Sequence, residues 1–148
     1  MNEENKTEET SERRMTKKEH IKYWIEISGD NFKSMRNMFK SKEYMWSLFV
    51  GHLVLEKLLK AYYVKVKDKR VPYSHDLYKL ALQCELELTE SQKDSLQYIT
   101  LFNIQTRYED YKRDFYKKCT KDFAEKNIKR IKELRNWLKK KIGKQYTG

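Results

Sequence analysis

One long apolar segment places the strongest constraint on how this chain folds. Residues 49–61 read FVGHLVLEKLLKA, and apolar side chains there cover more than one face of a helix. Other helices must surround such a segment, so it predicts the central helix of a bundle. His52, Glu56 and Lys60 recur within it every four residues and therefore share one face. Because unpaired buried charge is costly, we expect these side chains to have polar partners.

The rest of the chain also favours helices joined by short loops. Four glycines and one proline among 148 residues leave few turn signals. We predict an all-α, up-and-down helical bundle of about five helices. Ser41 and Ser74 are the expected caps of the second and third helices, and Thr89 with Gln92 resembles a capping box. The predicted helices span residues 18–40, 42–67, a short segment from about 75, 90–106 and 120–142, and residues 107–118 are expected to form an irregular connection.

Residues 1–17 are polar and predict a disordered tail before a bundle at 18–144. The N-terminal residues contain no apolar run typical of a signal peptide, and the longest apolar stretch carries too many charges for a membrane span. Cys84 and Cys119, the only cysteines, indicate reduced thiols and a cytoplasmic location. The scattered His and Cys residues predict no metal site, and we expect no cofactor.

Positive charge is concentrated near the C-terminus. Residues 112–144 hold 14 Lys or Arg and 4 Asp or Glu, a net charge of +10, whereas the whole chain carries +11. A localised basic face of this kind attracts partners that carry phosphate. It is equally consistent with a solvated helix face that keeps the protein soluble.

Four segments resemble the HEPN family of small helical bundles. Trp24–Asp30, WIEISGD, is similar to the family's first-helix pattern of Trp, a small residue and Asp. The HLVLEKLLKA part of residues 49–61 resembles its most recognisable segment. SHDL at Ser74–Leu77 resembles the family's Thr/Ser-His-Asp/Asn-Leu turn, and RYED at Arg107–Asp110 resembles its Arg-Tyr-Pro-Asp. In order and spacing, these segments cover roughly residues 18–142.

The resemblance implies a bundle that usually forms a homodimer and is connected with RNA or nucleotides. Many members are paired with a minimal nucleotidyltransferase as toxin and antitoxin, and some are metal-independent ribonucleases with an Arg-x4–6-His motif. Here Arg107 and Arg113 are followed by no His at that spacing. Arg70 and His75 match it literally, but they lie between the second and third helices, so we interpret His75 as part of the SHDL helix start.

We therefore predict a protein that binds RNA or a nucleotide without a complete nuclease motif, with a nucleotidyltransferase as a possible partner. Two alternatives stay open: a ribonuclease toxin that uses Arg107 and a His from elsewhere in the fold, and a protein–protein interaction module. A contact between Arg107 and Glu56 is expected to orient the guanidinium group. The candidate ligand-binding residues are Arg107, Tyr108, Glu56, His52, Lys60, Tyr111 and Arg113.

Overall fold

A computed structural model describes residues 15–67 and 70–147 of the chain. Within these ranges the protein is an all-α bundle without strands, which confirms the predicted fold class. The described part has seven helices where about five were predicted. They are α1 Lys17–Lys40, α2 Tyr44–Lys67, α3 Leu77–Gln83, α4 Glu90–Arg107, α5 Glu109–Lys118, α6 Lys121–Ile142 and α7 Lys144–Thr147.

The central helix is α2, as the apolar segment predicted. Most of its side chains are buried, including all three of His52, Glu56 and Lys60. The neighbouring helix α1 runs antiparallel to it, as two hydrogen bonds show. Ser28 Oγ in α1 donates to the Val54 carbonyl of α2 at 2.8 Å. Ser47 Oγ, earlier in α2, donates to the carbonyl of Met35, which is later in α1. The hydroxyl groups of Ser28 and Ser47 are therefore satisfied within this interface.

Helix α6 covers another side of α2 and runs parallel to it. Gly51 allows the close approach, since a Cβ atom there would lie 2.6 Å from Ile131 Cδ1. Further along both helices, Lys65 Nζ donates to the Ile142 carbonyl at 2.6 Å. Helix α4 is antiparallel to α6, because Phe102 late in α4 meets Phe123 early in α6. The long helices α1, α2, α4 and α6 thus alternate in direction, as in an up-and-down bundle.

Two caps differ from the prediction. Ser41 is the C-cap of α1 instead of the N-cap of α2, which begins at Tyr44. Asp76, rather than Ser74, caps α3 by accepting a hydrogen bond from Lys79 N at 3.1 Å. Ser74 Oγ instead accepts from the Asp76 backbone N–H. The predicted capping box of α4 is confirmed, since Thr89 and Gln92 bond reciprocally.

The predicted irregular connection at 107–118 is wrong, because most of it forms helix α5. Phe115 is its one buried residue, and its ring stacks on Phe102 with centroids 5.5 Å apart. Glu109 and Asp110 in the first turn, with two lysines in the last, complement the helix dipole. A helix anchored by a single apolar side chain leaves no periodic stripe for sequence analysis to detect.

Most of the predicted tail at residues 1–17 lies outside the described residues; Lys17 begins α1. None of the described helices is long and apolar enough to cross a bilayer. Cys84 and Cys119 are both free and buried. Burial raises the pKa of each thiol to about 12, so both stay protonated at neutral pH.

Candidate functional site

The carboxylate of Glu56 is the centre of a buried polar network. Its Oε1 atom lies 2.6 Å from His75 Nδ1, and Oε2 lies 3.0 Å from Lys57 Nζ and 3.3 Å from Lys60 Nζ. Burial alone would raise the pKa of Glu56, but the hydrogen bonds from His75 and Lys57 outweigh burial and lower it. Glu56 is therefore ionised at neutral pH, although its side chain is fully buried. We call Glu56, His52, Lys57, Lys60 and His75 the Glu56 cluster.

His52 also binds the loop before α3, the loop that contains His75. Its Nε2 atom lies 2.7 Å from the backbone carbonyl of His75. Burial lowers the pKa of His52, so the ring is neutral, and it must donate from Nε2 to that carbonyl. No direct hydrogen bond joins His52 to Glu56 among the described residues. The two side chains instead meet at His75, one on its backbone and one on its ring.

Trp24 on α1 closes the cluster on a third side. Its ring lies 5.6 Å from Lys57 Nζ and 5.5 Å from Lys60 Nζ. Both distances are within the range of cation–π attraction. The structure therefore brings His52, Glu56 and Lys60 together, as their shared helix face predicted. It adds three residues that were not among the candidates, namely Trp24, Lys57 and His75.

His75 is the member of the cluster that is most accessible to solvent. Its side chain is 37% exposed, whereas that of Glu56 is completely buried. Because Nδ1 donates to the Glu56 carboxylate, the imidazole is held in one orientation, and Nε2 is left for other partners. An oriented imidazole of this kind can exchange a proton with a bound ligand. Tyr73, which is 94% exposed, lies beside it with ring centroids 5.7 Å apart.

The sequence pattern predicted His75 only as a residue at the start of a helix. Two local signals pointed to it, namely the SHDL segment and its spacing from Arg70. Its contact with Glu56 joins residues 19 positions apart on different elements. No periodic pattern within one helix reveals such a contact, so only the fold identifies the pair.

The remaining candidates lie within seven consecutive positions where α4 meets α5, and Tyr111 and Arg113 point to opposite sides of α5. Arg107 ends α4, Tyr108 lies between α4 and α5, and Tyr111 and Arg113 lie on α5; all four are exposed. We call these four residues the junction surface. No ion pair involving Arg107 or Arg113 is found within the described ranges.

The expected contact between Arg107 and Glu56 is not formed. The hydrogen bonds of the Glu56 carboxylate are made with Lys57, Lys60 and His75. Helix α3 begins beside Thr100, whose Oγ1 accepts from Leu77 N. Arg107 lies seven residues beyond Thr100, which is roughly 10 Å along the axis of α4. The Glu56 cluster and the junction surface are therefore two distinct groups within one chain.

The described residues contain no group of three or more His, Cys, Asp or Glu side chains that could hold a metal ion. Within the Glu56 cluster, the single carboxylate is already bonded to three donors, so it is not free to bind a metal ion. Neutral His52 also donates from Nε2, which removes that nitrogen as a ligand.

A family profile described as HEPN domain matches residues 21–142, from the first turns of α1 to the end of α6. The chain belongs to the HEPN domain family. The resemblance inferred from the four segments is thereby confirmed. Searches of curated proteins and of solved structures gave no significant match. Membership in the HEPN family supports a function connected with RNA or nucleotides in general terms.

Proposed function

We propose that this HEPN protein binds RNA or a nucleotide at the junction surface and works with a nucleotidyltransferase partner in a toxin–antitoxin-type pair. One observation carries the proposal. Arg107 and Arg113 lack ion-pair partners in the described residues, and within the same seven positions Tyr108 and Tyr111 are 58% and 55% exposed.

These residue types suit a single-stranded ligand. Arginine binds phosphate through a planar fork of donors, and exposed aromatic rings stack on unpaired bases. Glu109 and Asp110 lie between the two arginines, so the junction surface by itself attracts phosphate only weakly. We therefore infer that stacking carries much of the binding there, while the basic residues of α6 add long-range attraction.

The buried candidates fit a supporting role in this proposal. His52, Glu56 and Lys60 are 0%, 0% and 5% exposed, so none presents a large surface to a ligand. Their hydrogen bonds position His75 and the start of α3.

We infer a homodimer from the exposed apolar residues next to the junction surface. Leu101 and Ile104 are three residues apart on one face of α4, and they are 43% and 40% exposed. Neighbouring exposed apolar side chains are typical of a surface that a second protein covers. The nucleotidyltransferase partner is proposed from the HEPN resemblance, and a cytoplasmic location from the two free cysteines.

Fluorescence anisotropy with a labelled single-stranded RNA tests the binding site. Because each arginine that contacts a phosphate releases counterions, Arg107→Ala with Arg113→Ala should reduce the slope of log affinity against log salt by roughly 1–2. Lys22→Ala with Lys33→Ala, two exposed lysines of α1, is the charge-matched control and should change the slope less.

Stacking is tested separately with single tyrosine variants. Tyr108→Ala should weaken RNA binding by roughly 5- to 150-fold with little change in salt slope, as expected for the loss of one stacked base. Tyr73→Ala removes another exposed tyrosine that lies outside the junction surface and should have a smaller effect. Equal losses in both variants, or no loss in either, would contradict binding at the junction surface.

A second candidate function, ribonuclease activity, is favoured by the oriented imidazole of His75. The chain has no Arg-x4–6-His motif at Arg107, but the Glu56–His75 pair supplies a histidine suited to move a proton at a ribose 2′-OH. Because His75 and Arg107 belong to separate groups in one chain, they would act together only across a dimer or on an extended RNA. Metal-free cleavage of RNA that is lost in both Arg107→Ala and His75→Ala would establish this activity, and intact RNA with the wild type would exclude it under those conditions.

A further inference from the structure

Between α1 and α6 the bundle surface has a groove that neither the Glu56 cluster nor the junction surface includes. Its floor is apolar and consists of the partly exposed Phe39 together with Ile128 and Met35, which are 9% and 0% exposed. The groove holds about 280 Å³, just below the roughly 300–1,000 Å³ that is usual for small-molecule sites. This volume suits one or two anchoring side chains of a larger partner better than a whole nucleotide.

The rim of the groove is strongly basic. Arg36 and Lys40 border it from α1, and Lys129 and Lys132 border it from α6. Glu125 is the single acidic lining residue and faces Lys121 at 4.0 Å. None of the four rim cations has an ion-pair partner within the described residues. The groove therefore combines an apolar floor with a rim of net charge +3.

Positive charge continues beyond one end of the groove. Arg135 lies over the ring of Phe32 at 3.7 Å, and Arg36 lies 5.9 Å from the same ring. Burial, followed by repulsion from Arg36, lowers the pKa of Arg135. An anionic partner along this side would relieve the repulsion between the two guanidinium groups.

We propose that this groove binds an acidic amphipathic helix of a partner protein. A helix that carries apolar side chains at every third or fourth position and carboxylates beside them matches both the floor and the rim. RNA fits less well, because Met35, Phe39 and Ile128 offer no side-chain hydrogen bonds to the polar edges of a base. The proposal is independent of RNA binding at the junction surface.

A synthetic helical peptide tests the proposal directly. The probe is a labelled peptide of about 14 residues, with Leu and Phe at helical spacing and Glu at most other positions. Its two controls are a scrambled peptide of identical composition and a version with Gln in place of Glu. Fluorescence anisotropy with the full chain should give saturable binding of the probe and much weaker binding of both controls. Equal binding of the scrambled peptide, or no binding of the probe, would overturn the proposal.

Charge reversal then locates the binding surface. Lys129→Glu with Lys132→Glu changes two exposed rim residues and should weaken probe binding by about tenfold. Lys126→Glu with Lys140→Glu makes the same change in net charge on α6 outside the groove lining, and should weaken binding less than about threefold by the same reasoning. Circular dichroism confirms that both variants are folded, and equal losses in the two would refute the groove as the site.

Two further measurements distinguish other occupants. A labelled single-stranded RNA that displaces the peptide and shows the same sensitivity to Lys129→Glu with Lys132→Glu would identify a general polyanion site and overturn the proposal. A homodimer that dissociates in this variant, but persists in the control variant, would show that a second copy of the chain covers the groove. A monomer–dimer equilibrium unchanged by the rim variant, together with specific peptide binding, supports a separate partner.

Discussion

Replacing Glu56 with glutamine tests whether the Glu56 cluster stabilises the bundle. The substitution preserves the size of the side chain but removes the negative charge opposite Lys57 and Lys60. The Lys60 side chain is only 6% exposed, so water cannot replace the lost partner. Breaking a buried ion pair typically costs about 3–5 kcal/mol. We expect the low end, about 3 kcal/mol, because the new amide can still form hydrogen bonds and Lys57 is partly solvated.

Chemical denaturation monitored by circular dichroism measures this change in the free energy of unfolding. For a chain of this size, about 3 kcal/mol corresponds to a fall of roughly 6–12 °C in Tm. Glu85→Gln is the matched control, because Glu85 also pairs with a lysine, Lys67, but is 78% exposed. Exposed pairs contribute about 0–1 kcal/mol, so the control should stay close to the wild type.

The difference in the free energy of unfolding between the wild type and Glu56→Gln should depend on pH, which gives a second, independent measure of the role of Glu56. Because the pKa of Glu56 is lowered in the folded state, its contribution is fully present above the unfolded value of about 4.5 and is lost as pH falls through the folded pKa. The gap between the wild type and Glu56→Gln should therefore close below about pH 4.5. A loss under about 1 kcal/mol at neutral pH, or an equal loss in Glu85→Gln, would refute the buried network as a source of stability.

Other parts of the bundle make testable predictions of their own. Because burial lowers the pKa of His52, the folded state binds a proton at this ring less readily than the unfolded chain does, so stability should fall as pH drops below about 6.5. His52→Gln should flatten this part of the plot of stability against pH. A plot unchanged by the substitution would contradict a neutral His52. Phe115→Ala should destabilise the bundle by about 3–5 kcal/mol because it removes the only buried residue of α5; an unfolding midpoint equal to the wild type would show that α5 does not depend on this contact. Cys84 and Cys119 should react with a thiol reagent in absorbance assays only after denaturant is added, since both thiols are buried; rapid reaction without denaturant would indicate local opening.

Local sequence signals were sufficient for most of the fold. The apolar segment at residues 49–61 identified the central helix, and the Thr89 capping box marked the start of α4. Periodicity and capping are properties of one helix, so they can be read without knowledge of the neighbouring elements. Helix α5 lacked such a signal, because Phe115 alone is buried and the rest of the segment is polar.

The candidate site was harder to predict because its key contacts join different elements. Spacing placed His52 and Glu56 on one face of α2, but it could not show that His75 lies between them. The expected pairing of Glu56 with Arg107 failed for the same reason. Glu56 already had nearer donors on its own helix and on the loop before α3.

The geometry also gives the four HEPN-like segments different roles. The Trp24–Asp30 segment contacts the segment at residues 49–61, because Trp24 covers Lys57 and Lys60. The segment at residues 49–61 in turn contacts Ser74–Leu77, because Glu56 binds His75. Three segments thus form one network that fixes α1, α2 and the start of α3. The fourth begins with Arg107, whose side chain makes no ion pair in the described ranges and is exposed. A guanidinium group without an internal partner remains available to an external anion. For this reason the junction surface is the stronger candidate for ligand contact, and the Glu56 cluster is the stronger candidate for a structural role.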